Sequence, residues 1–275
     1  MPELPEVETV RRTLEPRILG RRVVAAKLRR RDICETLPGA SVGAADLFEG
    51  AAISATYRHG KQLAIEADNG RVICIHLGMS GVLSWSTALP KFTVRDHAHA
   101  WWHLDDDSAM VFADPRRFGG VWLSPDMATL RRERWAELGI DGLLVYGRAL
   151  HQALGQSARS VKAALLDQGV VAGVGNIYAD ESLFAAGIAP TRACLTVTEA
   201  EWERLAASIR QVLGDALDGG GSTLRDYRDA NGQQGTHQLR HAVYGRGGEA
   251  CLTCRSMLQR ATLGQRTTVW CATCQ

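Results

Sequence analysis

Apolar side chains at the start of the chain recur at helical spacing. Val7, Val10, Leu14 and Ile18 form one stripe, which predicts a helix over residues 1–18. Pro5 suits its first turn, where a missing N–H costs nothing, and Glu6 and Glu8 complement the helix dipole there. Pro2 and Glu3 precede the stripe, and a helix start does not account for them.

From residue 21 to about residue 123 the pattern shortens to strand-like runs. "RRVVAAKL", "AAISATYR", "KQLAIEA", "RVICIHLG", "GVLSW", "HAHAWWHL", "AMVFAD" and "GGVWL" are separated by Gly, Asn and charged turns. Strands at such short intervals predict a sandwich or flattened barrel that carries the first helix. After Pro125 helical patterns return. "DMATLRRERWAEL" reads as a helix and "GIDGLLVYG" as a linker. Residues 157–168, with Val161, Leu165 and Leu166, read as helical, as do residues 176–186, which open at Asn176 behind a glycine turn. Over 198–217 a capping-box pair, Thr198 and Glu201, precedes a stripe of Trp202, Leu205, Ile209 and Leu213. A glycine-rich polar stretch, 218–238, follows. The expected class is α+β with two domains: a β-rich domain over 1–136, a linker over 137–150, a helical region over 151–238 and a C-terminal module over 239–275.

A length of 275 residues with 45% hydrophobic composition fits an ordinary globular protein. No apolar run is long enough to span a membrane and the N-terminus has no signal-peptide pattern, so a cytoplasmic, nucleoid-associated protein is expected. Net charge is only +2, yet both ends are basic: residues 235–275 hold Arg240, Arg246, Arg255, Arg260 and Arg266 against Glu249 alone.

Cys34, Cys74 and Cys194 are isolated and read as buried structural thiols. Cys251, Cys254, Cys271 and Cys274 are spaced C-x2-C-x16-C-x2-C, which suits two knuckles joined by a hairpin around a tetrahedral zinc. A pair of disulfides is the competing reading and needs an oxidising compartment. Four thiolates leave no open coordination position, so the zinc is structural, and no redox or nucleotide cofactor is expected. "VVAGVGNIYADESLF" resembles a dinucleotide fingerprint but lacks its third glycine and follows a helix, so it reads as a turn whose N–H groups and Asn176 can hold a phosphate. Met79 in "HLGMSG" and Arg116, Arg117 and Phe118 in "DPRRFGG" stand at turn tips, where they suit wedging into a base stack. His97, His99, Trp101 and His103 would share one strand face, more simply as a solvated face than as a metal site.

Together these pieces resemble one family over nearly the whole chain, the bacterial formamidopyrimidine-DNA glycosylases. The resemblance rests on "PELPEVET", the lysine in "RHGKQLAIE", "HLGMSG", "DPRRFG", "GVGNIYADESLFAAGI", "VYGRGGEAC" and the terminal cysteines with "QR" ahead of the second knuckle. It implies an N-terminal β-sandwich, a helix–two-turns–helix region and a zinc-finger hairpin. It also implies a monomeric base-excision-repair enzyme that removes oxidised purines, 8-oxoguanine and formamidopyrimidines, from damaged double-stranded DNA and cuts the strand by β,δ-elimination.

That resemblance gives Pro2 a purpose. With Met1 removed, its amine is a nucleophile: a chain-terminal amine has a pKa of about 7.7–8.0 against about 10.4 for lysine, and although a prolyl amine is somewhat more basic than the average terminus, more of it is neutral near pH 7 than of a lysine. Being secondary, it condenses with C1′ of deoxyribose to a cationic iminium that makes the C2′ proton acidic. The resemblance makes Glu3 the proton donor and acceptor at the sugar, with Glu6 assisting through water. It makes Lys61, His76, Asn176 and Arg266 phosphate ligands, Lys61 also part of the catalytic set, and Lys162 and Arg225 further DNA contacts. Met79, Arg116 and Phe118 would fill the gap left by a flipped nucleotide. Gln62 and Thr236–His237 depart from the family, where aromatic residues are common; the latter lie in "STLRDYRDANGQQGTHQ", which should close over the extruded base. Two alternatives remain: an oxidised-pyrimidine glycosylase of the same superfamily, disfavoured by the full "PELPEVET" and "DPRRFG", and a non-catalytic damage-binding protein, which would have no use for Pro2, Glu3 and Lys61.

Overall fold

The computed structural model describes residues 1–87 and 97–275. It divides into two compact units, residues 1–137 with 220–235 and residues 138–219 with 236–275.

The first unit begins with helix α1 (Leu4–Ile18). Val7, Val10, Leu14 and Ile18 are all buried, as their spacing requires. They pack into a core shared by two sheets. One sheet has the order β1-β7-β8-β6, from Val23–Leu28, Ala98–Leu104, Ala109–Ala113 and Val82–Ser86. The other has the order β2-β9-β5-β4-β3, from Cys34–Thr36, Gly120–Ser124, Val72–His76, Gln62–Ala67 and Ile53–His59. Side chains alternate across the second sheet: Leu63, Ile65, Ile73 and Ile75 face the shared core, while Ala64, Val72, Cys74 and Trp122 face a second cluster under Leu130, Met127 and Trp135. The five-stranded sheet is thus covered on both faces.

The second unit contains α3 (Gly147–Leu154), α4 (Val161–Leu165), α5 (Asn176–Ala186) and α6 (Glu199–Asp218). Short strands β10 (Ile140–Asp141) and β11 (Val171–Ala172) pair in parallel, and β12 (Gln259–Leu263) pairs with β13 (Arg266–Trp270) as a hairpin. The capping box at Thr198 and Glu201 forms as its spacing predicts, and Trp202, Leu205, Ile209 and Leu213 are fully buried. The β12–β13 turn needs only Gly264 and Gln265, both at positive φ, as a tight hairpin with strand-matching twist demands.

Several sequence-based boundaries are corrected. The supposed linker holds β10 and the start of α3, whose first N–H groups, on Gly147 and Arg148, are accepted by the Glu203 carboxylate at 3.1 and 3.0 Å. Of 157–168 only 161–165 is α-helical, started by Ser160, whose hydroxyl accepts the Ala163 N–H. The helix after Pro125 is a short α-turn, α2 (Met127–Leu130), continued by a π-turn over Arg131–Trp135. Residues 220–235 belong to the first unit, where Ala230 O accepts the Trp85 N–H at 2.9 Å and the Ala230 N–H reaches the Thr13 hydroxyl at 3.2 Å. The histidine face does not form: His97 sits before β7 at φ +50, a bulge follows Ala98, and buried His99 bonds the Asp114 carbonyl at 2.7 Å. Cys74 and Cys194 are buried, but Cys34 is only half-buried.

Candidate catalytic and nucleic-acid-binding residues

The three N-terminal glutamates have three different surroundings. Glu3 precedes α1 as its N-cap residue. Glu6, 1% exposed, is held by two backbone donors: Glu3 N–H at 2.8 Å and Ser222 N–H at 2.7 Å. This ties the Pro2–Glu3 end of the chain to the start of segment 220–235. Gly221, at φ +81, lies so close that a Cβ there would meet Glu6 Oε1 at 2.8 Å. Tyr227 O–H donates to Glu6 O at 3.3 Å, and burial pushes that phenol's pKa up. Glu8 instead faces Arg11, Arg12 and Arg58. Burial raises its pKa, but those guanidiniums outweigh it and hold the carboxyl below its usual range. Glu8 is a structural ion-pair centre. Pro2 itself is buried.

Lys61 stands in the two-residue turn between β3 and β4, where His59 pairs with Gln62 and Gly60 supplies φ +55. A turn lysine is normally solvated, yet this one is only 7% exposed. Across the sheet Gln62 pairs with His76. Burial first, then the nearby Lys61 and Arg134 cations, lower the His76 pKa to about 4, with Asp114 pulling weakly the other way. Gln62, one of the departures from the family's common aromatics, is turned into the covered sheet face, where its carbonyl accepts the Trp135 indole N–H at 3.1 Å.

Met79 and the Arg116–Phe118 tip are brought together by Asp114, 1% exposed. Its carboxylate accepts Ser80 O–H at 2.6 Å, Arg116 N–H at 3.2 Å and Gly119 N–H at 2.8 Å. Gly78, at φ +63, lets the two loops touch, since a Cβ there would collide with the backbone of Phe118 and Gly119. On this platform Met79 and Phe118 are 38% and 57% exposed, and the Arg116 guanidinium lies 4.8 Å over the Phe118 ring. Arg225 is exposed in segment 220–235.

In the second unit Asn176 is the first residue of α5, and its side-chain amide donates to Thr267 O at 3.0 Å. Arg266, beside Thr267, is exposed at the start of β13. Lys162 is corrected. It is 0% exposed, pairs with Asp180 at 2.6 Å, and donates to Thr267 O and Thr268 Oγ1 at 3.1 and 2.8 Å, so it has no path to a phosphate. His237 is buried beside Tyr178 and His241, with ring centroids 6.0 and 5.7 Å away, rather than standing on a loop surface.

The four zinc-finger cysteines converge: their sulfurs lie within 4.8 Å of one another. Tetrahedral zinc with bonds of about 2.3 Å separates its sulfurs by roughly 3.8 Å. The Cys251–Cys274 and Cys254–Cys271 distances, 3.9 and 3.4 Å, fit that geometry, and the thiols are not paired in disulfides. Among the described residues no other group of His, Cys, Asp or Glu is arranged to hold a metal.

Sequence reading missed Asp114, Asp180 and Glu181. The Glu181 carboxylate accepts the N–H groups of Ala242, Val243 and Tyr244 at 2.7–2.9 Å, and Asp180 accepts that of Val269 at 3.2 Å. The neighbouring acids of "ADES" therefore hold the zinc module on α5. Two adjacent acids in a largely apolar helix were the available signal.

Family models match as the formamidopyrimidine-DNA glycosylase N-terminal domain over residues 1–121, its H2TH domain over 145–228, and the zinc finger found in FPG and IleRS over 248–275. Formamidopyrimidine-DNA glycosylases of Xanthomonas euvesicatoria and Burkholderia multivorans are 44% and 42% identical, with 100% of each chain covered. The MutM (Fpg) structure from Thermus thermophilus is 38% identical with TM-score 0.86, covering 100% of this chain and 98% of that one. A Lactococcus lactis Fpg mutant in complex with Fapy-dG-containing DNA is 32% identical with TM-score 0.88, covering 100% and 99%. The chain belongs to the formamidopyrimidine-DNA glycosylase family.

Proposed function

We propose that this chain is a bifunctional DNA glycosylase and AP lyase that excises formamidopyrimidines and 8-oxoguanine from duplex DNA. The observation that carries the reading is Glu6, whose buried carboxylate joins the Pro2–Glu3 end to Ser222 in a chain whose relatives bind Fapy-dG DNA. Once Met1 is removed, the neutral Pro2 amine attacks C1′. The glycosidic bond breaks, the base leaves with the bond pair and takes up a proton, and the sugar ring opens to an iminium. Glu3 is the group we assign to proton transfer at the sugar. Loss of the C2′ proton sends its electron pair toward the iminium and expels the 3′ phosphate. A second elimination expels the 5′ phosphate. A chain-terminal amine, with a pKa of about 7.7–8.0, is better matched to this attack than a lysine.

Lys61, His76, Asn176 and Arg266 are assigned to phosphates, Arg225 to a further backbone contact, and Met79, Arg116 and Phe118 to the vacated base position. The zinc supplies no chemistry; bound by Cys251, Cys254, Cys271 and Cys274 it holds the hairpin that carries Arg266. The site of action is proposed to be the cytoplasm; no helix among the described residues is long and apolar enough to cross a membrane.

Borohydride reduction of the enzyme mixed with lesion-containing duplex tests the reading. A covalent adduct mapped to the N-terminal peptide is expected, and a retained Met1 or N-terminal tag should abolish it while DNA binding persists. An adduct on Lys61 would overturn the assignment. The duplexes should include an oxidised pyrimidine, because a Lactococcus lactis relative has been solved with such DNA.

A further inference from the structure

The two residues that flank the Lys61 turn share one neighbour. Trp135, the last residue of the π-turn over Arg131–Trp135, stacks on His59 with ring centroids 5.6 Å apart. Its indole N–H donates to Gln62 Oε1 at 3.1 Å. The same Gln62 oxygen accepts the Cys74 thiol at 3.4 Å, so the carboxamide is fixed from two directions. Gln62 is buried, paired with His59 on one side and His76 on the other. One aromatic side chain therefore grips both ends of a two-residue turn and the strand position opposite His76. A tight turn has few degrees of freedom, so fixing its flanks fixes the direction in which Lys61 leaves it.

We infer that Trp135 and Gln62 are positioning residues that hold Lys61 and His76 in the arrangement in which they meet DNA phosphate. The inference rests on the proposed phosphate role of Lys61. Neither residue touches substrate. Trp135 acts from the covered outer face of the sheet, through the hydrogen bond to Gln62 and the stack on His59. A held cation costs little reorganisation when phosphate arrives, whereas a loose one loses side-chain freedom at that moment.

The test uses the full-length zinc-loaded enzyme. Trp135→Phe keeps the stack and removes the N–H, and Gln62→Met removes the acceptor at similar size. Each should slow single-turnover excision of an oxidised purine about five- to tenfold, with melting temperature nearly unchanged. Their double variant should be no slower than the worse single. In a Lys61→Ala background Trp135→Phe should cost clearly less than in the wild type, because only its hold on His76 is left to lose. A structural readout accompanies the rates: the His76 imidazole, followed by NMR in the DNA-free enzyme, faces Lys61, Arg134 and Asp114, and burial with the two cations keeps it at about 4. Release of Lys61 in Trp135→Phe should let that titration rise toward the ordinary histidine value. Unmoved His76 titration with unchanged excision would overturn the inference, as would an equal penalty from Trp135→Phe with and without Lys61. If Lys61→Ala excises normally, the phosphate reading itself falls and takes the inference with it.

Discussion

Lys162 Nζ lies 2.6 Å from a carboxylate oxygen of Asp180, and the two side chains are 0% and 1% exposed. A lysine this deep is structural, and the groups around it say what it structures. It joins α4 to α5 through Asp180 and joins both to β13 through Thr267 and Thr268. Asn176 adds a bond to the same Thr267 carbonyl. Burial pushes the Asp180 carboxyl up, to about 6, against the pull of the Lys162 ammonium, so the pair is costly to leave half-made.

Lys162→Met should therefore destabilise the second unit by about 3–5 kcal/mol, because it strands a buried carboxylate. Lys162→Met with Asp180→Leu should recover much of that loss. Neither variant should change the slope of log affinity against log salt, whereas Arg266→Ala should reduce its magnitude by about one. Denaturant melts and DNA titrations at several salt concentrations separate these outcomes. A salt slope lowered by Lys162→Met would restore it as a phosphate ligand.

The contrast between Lys162 and the cysteines shows what was readable in advance. The C-x2-C-x16-C-x2-C spacing is local, and thiolates so spaced have few alternatives, so the metal site was legible. Helix α6 was legible for the same reason, its cap and stripe being contiguous. Helix α3 was not: the carboxylate that starts it, Glu203, is 56 residues beyond Gly147. Lys162 had the type and the neighbourhood of a phosphate ligand, and only packing could reveal Asp180 opposite it. Gln62 likewise reads as an anomaly in sequence and as a hydrogen-bond acceptor for Trp135 once β4 is covered.

Metal removal supplies a second prediction. Cys251 and Cys271 form one core with Val243, Leu258 and Val269, so the module has little apolar material to stand on without zinc. Structural zinc contributes on the order of 10–16 kcal/mol in small modules. Cys271→Ser should release the metal, unfold the β12–β13 hairpin and weaken DNA binding and excision together. Arg266→Ala with zinc retained should show most of the same binding loss. Metal-free protein cutting at the normal rate would remove this role for zinc.

Acid sensitivity follows from buried histidines. His241, 7% exposed, is held to about 4 by burial and by the neighbouring His237, which burial also lowers. An unfolded histidine titrates near 6.5, so the unfolded chain takes the proton first. The stability due to a neutral His241 is thus complete above about pH 6.5 and is lost as pH falls toward 4. Urea unfolding at pH 5.0 should give a free energy about 1–2 kcal/mol below that at pH 7.5 from this residue alone. His241→Leu should flatten that difference. An equal pH dependence in the variant would assign the effect elsewhere.

The Asp114 platform gives the last prediction, because its two loops can be separated without touching a candidate wedge side chain. Gly78 occupies φ +63, and a Cβ there meets the backbone of Phe118 and Gly119. Left-handed backbone costs a side chain roughly 1–2 kcal/mol before any collision. Gly78→Ala should push the Met79 loop off the Arg116–Phe118 tip and slow excision of a paired oxidised purine. Borohydride trapping on a preformed abasic site should survive, since no base need be extruded there. Arg116→Ala removes a guanidinium from the Phe118 ring instead, and its fork can otherwise meet the acceptor edge of an orphaned cytosine. It should flatten the preference for cytosine opposite the lesion, while Phe118→Ala should impair extrusion whatever the opposite base. A lesion in an already distorted pair costs less to flip, so such substrates should partly rescue Phe118→Ala. Single-turnover cutting of one oxidised purine opposite each of the four bases decides between them. Should Arg116→Ala slow all four equally, the arginine is one more phosphate clamp, and opposite-base reading must lie with another residue.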